Sequence, residues 1–286
     1  MVTRVKKIIG KSFENRDISL YEFMVEKPKF NVLLTGTVHG TEHWASESLE
    51  KMMIDIETGN PTFYSDLNIV ILPYWNIDGF THGTYDNAQG FSINYSATNV
   101  CTKEQRALHE YLENNNYYPD FYIDNHNLDR WSQGHTTYMY DHVPRISYPD
   151  QLVIGINMSS MQRHQMGWKE FTDIVSHVQT RAGSSYKYGK FWELNDFGNL
   201  SWNTFYEVSE TQQWIAQRYD ALTFLIEGVI PASAPPPDFE DDVAWAPTVQ
   251  AQFLANKYMI DWARNHPQFC NNQRSVNPAV GDYVSI

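Results

Sequence analysis

Cysteine is nearly absent. The 286 residues contain two, Cys101 and Cys270. Two thiols are too few for a disulfide framework or a thiolate zinc site, and at most one bridge can join them. Long apolar runs are missing as well. No stretch of about eighteen apolar residues occurs, so no transmembrane helix is expected. The opening, MVTRVKKIIGKSFENRDISLYEF, has basic residues but lacks the apolar centre of a signal sequence. These absences point to a cytoplasmic protein or to a piece of a larger assembly. Positive charge is scarce too: 21 Lys and Arg face 34 Asp and Glu, a formal net charge of -13. Such a field repels phosphate backbones, which argues against nucleic acid and favours neutral or cationic partners. Internal repeats and low-complexity blocks are also missing.

What is present is an ordinary globular balance, 42% hydrophobic and 19% charged. The length suits one large domain, and the expectation is a single domain over residues 1–286. Aromatics reach 15%, which suits either a large core or a binding surface. DISLYEFMV and KFNVLLTGTV read as strands around a Lys-Pro turn. EHWASESLEKMMIDIE has helical spacing, and LNIVILPYW is a continuous apolar run typical of a buried parallel strand. TKEQRALHEYLENN reads as an amphipathic helix capped by Thr102. DFYIDNH and DALTFLIEGV read as further strands. PASAPPPDFEDD reads as a loop before a final helix near AWAPTVQAQFLANKYMIDWARNH. Strands alternating with helices imply a single-domain α/β sandwich with a mixed, mostly parallel central sheet flanked by helices. Ligands of such sheets bind at the carboxyl ends of strands, and His39, Asn76, His126 and Glu227 all fall there.

The stretch GTVHGTEHWA, residues 36 to 45, admits two readings. As His-x-x-Glu-His, His39 and His43 would sit one turn apart on a helix and share an ion. As His-x-x-Glu, His39 and Glu42 would be ligands on a strand-to-helix turn, with His43 elsewhere. Gly36 and Gly40 bracket His39, and glycine disfavours a helix interior. The helix should therefore begin near Thr41 or Glu42, which favours the second reading. Asn76 and Asp78 of NIDG read as turn-formers. His43, His82, His135, His142, His164 and His177 carry no assigned role.

In order along the chain, IGKSFENRDI, His39-x-x-Glu42, LPYWNIDG, NAQGFSINYS, DFYIDNH and TFLIEG together resemble the zinc carboxypeptidase family. The resemblance runs from about residue 8 to residue 230. It implies the family's α/β fold with a mixed sheet, a peptide or amide substrate and one zinc ion held by His39, Glu42 and His126. Two imidazoles and one carboxylate leave a net positive ion with an open coordination position, as catalysis requires. The resemblance also makes Glu227 the general base, which would take a proton from the attacking water and pass it to the leaving amine. An acid after an apolar strand is costly unless it is paired or working. Asp124 stands two residues before His126, where it either orients that histidine or caps a loop.

The departures from the family are specific. Its members carry an arginine before a phrase like N-A-N-G-V-D-L-N-R-N, and that phrase's asparagine and arginine grip the substrate's terminal carboxylate. In NAQGFSINYS, residues 87 to 96, Asn94 matches the asparagine, Tyr95 stands for the gripping arginine and Ser92 for the aspartate. Tyr85 stands where the oxyanion-stabilising arginine would be. A neutral hydroxyl cannot replace a bidentate guanidinium at a carboxylate. Three consequences are open. The substrate lacks a free C-terminal carboxylate, or another arginine such as Arg130 supplies the charge, or the chain is an impaired binding module within a larger surface or phage-tail assembly. Tyr206, or Phe205 beside it, falls at about the distance before Glu227 of a family tyrosine that lies over the pocket.

Overall fold

The structure is a computed structural model and describes residues 3–59, 62–94, 102–127, 153–158, 168–190, 210–229 and 242–269. Among these residues lies one sheet of eight strands. They are β1 (Arg4–Lys11), β2 (Asp17–Phe23), β3 (Phe30–Gly36), β4 (Leu67–Leu72), β5 (Phe121–Asn127), β6 (Val153–Met158), β7 (Lys187–Lys190) and β8 (Leu222–Val229). Their order across the sheet is β1-β2-β4-β3-β5-β8-β6-β7. The central strands β4, β3, β5 and β8 run parallel, while β2 and β6 pair antiparallel to their inner neighbours. The mixed sheet expected from the sequence is therefore present, with its parallel part in the middle. That part needs both faces covered, which explains the apolar run from Ile69 to Leu72 in β4.

Alternating residues feed two cores. Val32, Leu34, Ile69, Ile71, Phe121, Ile123, Phe224 and Ile226 point to one face. There they meet α1 (His43–Ile54), α4 (Trp168–Ala182) and α6 (Asp242–Asn265). Leu33, Val70, Leu72 and Tyr122 point to the other face and meet α3 (Lys103–Asn114) and α5 (Glu210–Tyr219). Each such side chain, fully buried, contributes about 1.5–3 kcal/mol of transfer free energy. The cap on α3 is as the sequence implied. Thr102 Oγ1 accepts from Gln105 N at 3.2 Å, and the Gln105 side chain returns the bond to Thr102 N at 3.1 Å. No helix among the described residues is long and apolar enough to cross a membrane.

A short helix, α2 (Ile77–His82), follows β4. Asn76 caps it by accepting from Gly79 N at 2.9 Å. Asp78 is buried and accepts from Ser12 Oγ at 2.6 Å, Glu14 N at 3.0 Å and Arg16 Nη1 at 2.6 Å. Both residues shape the turn, as their type before glycine suggested.

Candidate metal centre

Three parallel strands, β3, β5 and β8, end side by side, and the candidate residues sit at those ends. Beyond β3 the chain turns at Thr37, whose φ is +51°. A non-glycine residue in this left-handed region is strained and persists only where its surroundings hold it. Here Thr37 Oγ1 donates to Glu42 O at 3.2 Å and is bonded to Ser46 Oγ. The next turn is closed by Glu42 N donating to His39 O at 3.1 Å. Gly40 has no room for a side chain, because a Cβ there would lie 2.1 Å from Gly79 C and 2.4 Å from Phe80 N. The close approach lets Gly40 N donate to Tyr85 O at 3.1 Å. The turn bearing His39 is thus pressed against α2 and the loop after it.

Helix α1 begins at His43, one or two residues later than the glycine pattern indicated, with Glu42 at its N-cap. The reason lies in the side chain of Glu42. It makes no cap hydrogen bond; its carboxylate is turned to the histidines instead. His39 Nδ1 lies 2.8 Å from Glu42 Oε1, and His126 Nδ1 lies 3.1 Å from Glu42 Oε2. The ring of His43 packs against Phe80, with centroids 4.5 Å apart. The structure therefore follows the His-x-x-Glu reading and not the His-x-x-Glu-His one.

His126 is on β5 with its side chain on the same face as Asp124 and Tyr122. Its Nε2 lies 3.0 Å from Asp124 Oδ2, and Thr35 Oγ1 donates to Asp124 Oδ1 at 2.7 Å. Asp124 thus orients His126, settling the alternative left open by the sequence. In the parallel register His126 faces Glu227 across β5 and β8, so the two side chains emerge on the same face. Glu227 Oε2 is buried and has no hydrogen-bond partner.

His39, Glu42, Asp124 and His126 are all buried. One ligand atom from each of His39, Glu42 and His126 lies within 4.8 Å of the others. The nitrogen–oxygen contacts are hydrogen-bond lengths, and His39 Nε2 is buried without a partner. Two imidazoles and one carboxylate in this arrangement fit one zinc ion. Burial opposes charge on His126, but the carboxylates of Asp124 and Glu42 outweigh it and hold its pKa well above the ordinary value. Burial likewise opposes the charge of Glu42, yet His39 and His126 outweigh it and keep its pKa low. Burial pushes Glu227 up to about 8; His126 opposes the rise, and Glu42 and Asp124 add to it.

Among the substrate-side candidates, Tyr85 is brought to the cluster. Its ring stacks on His39 with centroids 3.8 Å apart and planes 15° apart. The family alignment places Tyr85 at the site, but the stacking itself depends on the folding back of the loop after α2. Asn94 lies further along the same loop and is buried, with Oδ1 lacking a partner. Its neighbour Ile93 is tied to α3, its carbonyl accepting from Gln105 Nε2 at 2.6 Å. Tyr95, Arg130 and Tyr206, together with Cys101 and Cys270, lie outside the described residues.

The sequence profile of the zinc carboxypeptidase family matches residues 2–99, which include His39 and Glu42. No curated protein sequence matches the chain. Solved structures are similar in fold. A metallo-carboxypeptidase from Burkholderia cenocepacia superposes with a TM-score of 0.62 at 18% identity, over 90% of this chain and 65% of that one. Bovine thrombin-activatable fibrinolysis inhibitor gives 0.61 at 13% identity, over 92% and 91%. Carboxypeptidase A from Helicoverpa armigera gives 0.59 at 16% identity, over 93% and 69%. The chain thus spans 65% of the length of the Burkholderia protein. At these identities the likeness establishes a carboxypeptidase-like fold, and the resemblance to the zinc carboxypeptidase family rests on the profile together with that fold.

Proposed function

We propose that the chain is a zinc-dependent hydrolase of peptide or amide bonds with atypical recognition of the substrate's C-terminal end. The observation that carries this reading is the convergence at three adjacent strand ends. His39, Glu42 and His126 meet there, and Glu227 stands beside His126 with a buried, unpartnered carboxylate oxygen. In this reading those three residues hold one zinc ion. When bound, zinc supplies Lewis acidity and makes water at this point acidic enough to attack near neutral pH. Glu227 accepts the proton of the attacking water and delivers it to the leaving nitrogen. Burial holds the Glu227 pKa at about 8 in the metal-free chain, and a cation held by the three ligands would lower it toward the carboxylate form that accepts a proton. Asp124 holds His126 in one orientation and one tautomer.

The substrate side differs from the family pattern. Tyr85, stacked on His39, offers at most one neutral hydroxyl donor to the developing oxyanion where an arginine would offer a charged fork. Asn94 remains to bind the substrate backbone. By the family alignment Tyr95 stands where a carboxylate would be gripped and Tyr206 matches a tyrosine of the pocket, while Arg130 is the arginine nearest to His126 in sequence; none of the three is among the described residues. With tyrosines at both arginine positions, the favoured substrate has no free carboxylate next to the scissile bond. An internal amide, a capped peptide or a cell-wall cross-link meets that condition.

The test is a matched pair of peptides, one with a free C-terminus and one amidated, incubated with zinc-loaded protein with and without chelator. Chelator-sensitive cleavage favouring the amidated peptide is expected. Cleavage that ignores the chelator would overturn the metal mechanism, and a preference for the free carboxylate would overturn the specificity. The same two tyrosines favour a second reading, a binding module that keeps the fold but not turnover. Slow, chelator-sensitive cleavage of any peptide or muropeptide would rule it out.

A further inference from the structure

Behind the candidate metal centre, on the opposite face of β5, lies a second polar layer. One row of α6, four residues apart, reads Thr248, Gln252, Asn256 and Ile260, and all four are buried against the sheet. Such a face is normally apolar, and the neighbouring row, Ala251, Ala255 and Met259, follows that rule. The polar row meets the main chain of the site-bearing strands. Gln252 Nε2 donates to His126 O at 2.6 Å. Asn256 Nδ2 donates to Asn125 Oδ1 at 2.7 Å, and Asn125 Nδ2 donates to Thr35 O at 3.1 Å. The layer also abuts Gly228, directly after Glu227. A Cβ there would lie 2.6 Å from Asn127 Nδ2, 2.9 Å from Thr248 Cγ2 and 3.0 Å from Gln252 Nε2.

This layer is a poor way to stabilise a fold. Both side-chain polar atoms of Asn127, Gln252 Oε1 and Asn256 Oδ1 are buried without hydrogen-bond partners. Such groups cost stability relative to satisfied ones, and apolar side chains of the same shape would avoid the loss. A row that breaks the packing rule next to a site is a sign of function there. We propose that Gln252 and Asn256 are positioning residues that fix His126 against the His39–Glu42 turn, so that the three zinc ligands meet. Gln252 holds the main chain at His126 itself. Asn256 acts through Asn125 to hold β5 in register with β3 at Thr35, next to the turn that carries His39. The inference rests on the zinc reading of the site, and it concerns how the ligands are held and not what they cleave.

The test compares Gln252→Met and Asn256→Leu, made singly, with wild type and with Thr248→Val. Thr248 shares the row, but its methyl group already faces Gly228. Zinc affinity is measured by competition with a chromophoric chelator, the visible spectrum is recorded with Co2+ in place of zinc, and melting is followed on metal-free protein. Both substitutions should weaken zinc binding about tenfold or more, in the range usual for groups that orient metal ligands, and should change the cobalt spectrum. Their metal-free melting temperatures should be unchanged or higher, and Thr248→Val should bind zinc like wild type. Zinc affinity within twofold of wild type in a folded variant would overturn the proposal. So would lower melting with affinity and spectrum unmoved, since that is the signature of a purely structural row. Making the two variants separately means that misfolding of one leaves the other to decide. Failure of wild type to bind zinc would overturn the reading of the site itself, and this inference with it.

Discussion

The two faces of β5 at its carboxyl end present two kinds of polar chemistry. On the α3 and α5 side the groups are ionisable and joined in a chain, from Asp124, which Thr35 holds, through His126 to Glu42 and His39. On the α6 side they are not ionisable, the amides Asn125, Asn127, Gln252 and Asn256 with Thr248 beside them, and several of the amide polar atoms have no partner. One strand supports both because successive side chains point to opposite faces. The contrast shows that burial alone does not make a site. Ionisable groups whose contacts converge can hold an ion, while amides that bond to the main chain can only set where that ion would be held.

The sharpest way to break the comparison is to disable the ionisable face without disturbing the metal ligands. Glu227→Gln should lower the rate of peptide hydrolysis about 10²–10⁴-fold, the range for loss of a general acid–base group, with bound zinc retained. Equal rates in a direct assay would remove Glu227 from the mechanism. Asp124→Asn keeps the shape but removes the charge beside His126 Nε2. Zinc affinity should fall about 10–100-fold, as read by chelator competition, and an unchanged affinity would reduce Asp124 to a structural role.

Protonation gives a third handle. In the metal-free chain burial lifts the pKa of Glu227 from its ordinary 4.5 to about 8. The folded state then binds a proton that the unfolded state has lost between those values, so metal-free stability falls as pH rises across that window. His126 acts in the same direction. Its pKa is raised above the ordinary 6.5, so its stabilisation is full below that value and is lost as pH rises through the folded value. Zinc must displace the histidine proton, so zinc affinity should rise with pH while metal-free melting temperature falls. Titration calorimetry in buffers of differing ionisation heat, with melting curves at pH 5.5 and pH 8, checks both signs. Parallel trends would contradict the assignment. The smallest effect is expected at His43, whose ring lies against Phe80. His43→Ala should leave zinc content unchanged, and a loss would restore the His-x-x-Glu-His reading.

Much of this was legible in the sequence. The glycines around His39 argued against a helix there, and the order of His39, Glu42, His126 and Glu227 at strand ends pointed to the candidate site. What escaped depends on contacts between distant segments. Gly40 is needed because α2 approaches within a Cβ's reach, and that approach cannot be read from the glycine itself. Tyr85 meets His39 only because its loop folds back. The row Thr248, Gln252 and Asn256 is visible as a four-residue spacing in the final helix, but apolar periodicity dominates that segment. Its polar members gain meaning only when β5 supplies the carbonyl of His126. The start of α1 was displaced for a similar reason, since Glu42 gives its carboxylate to histidines and not to the helix end.

The most direct measurement is zinc content by elemental analysis of purified wild-type protein beside His126→Ala. About one zinc per chain in wild type, with loss in the variant, is the expected result. No zinc in wild type after zinc is supplied, or equal zinc in both proteins, would mean that His39, Glu42 and His126 do not hold an ion together, and the hydrolase reading would fall with them.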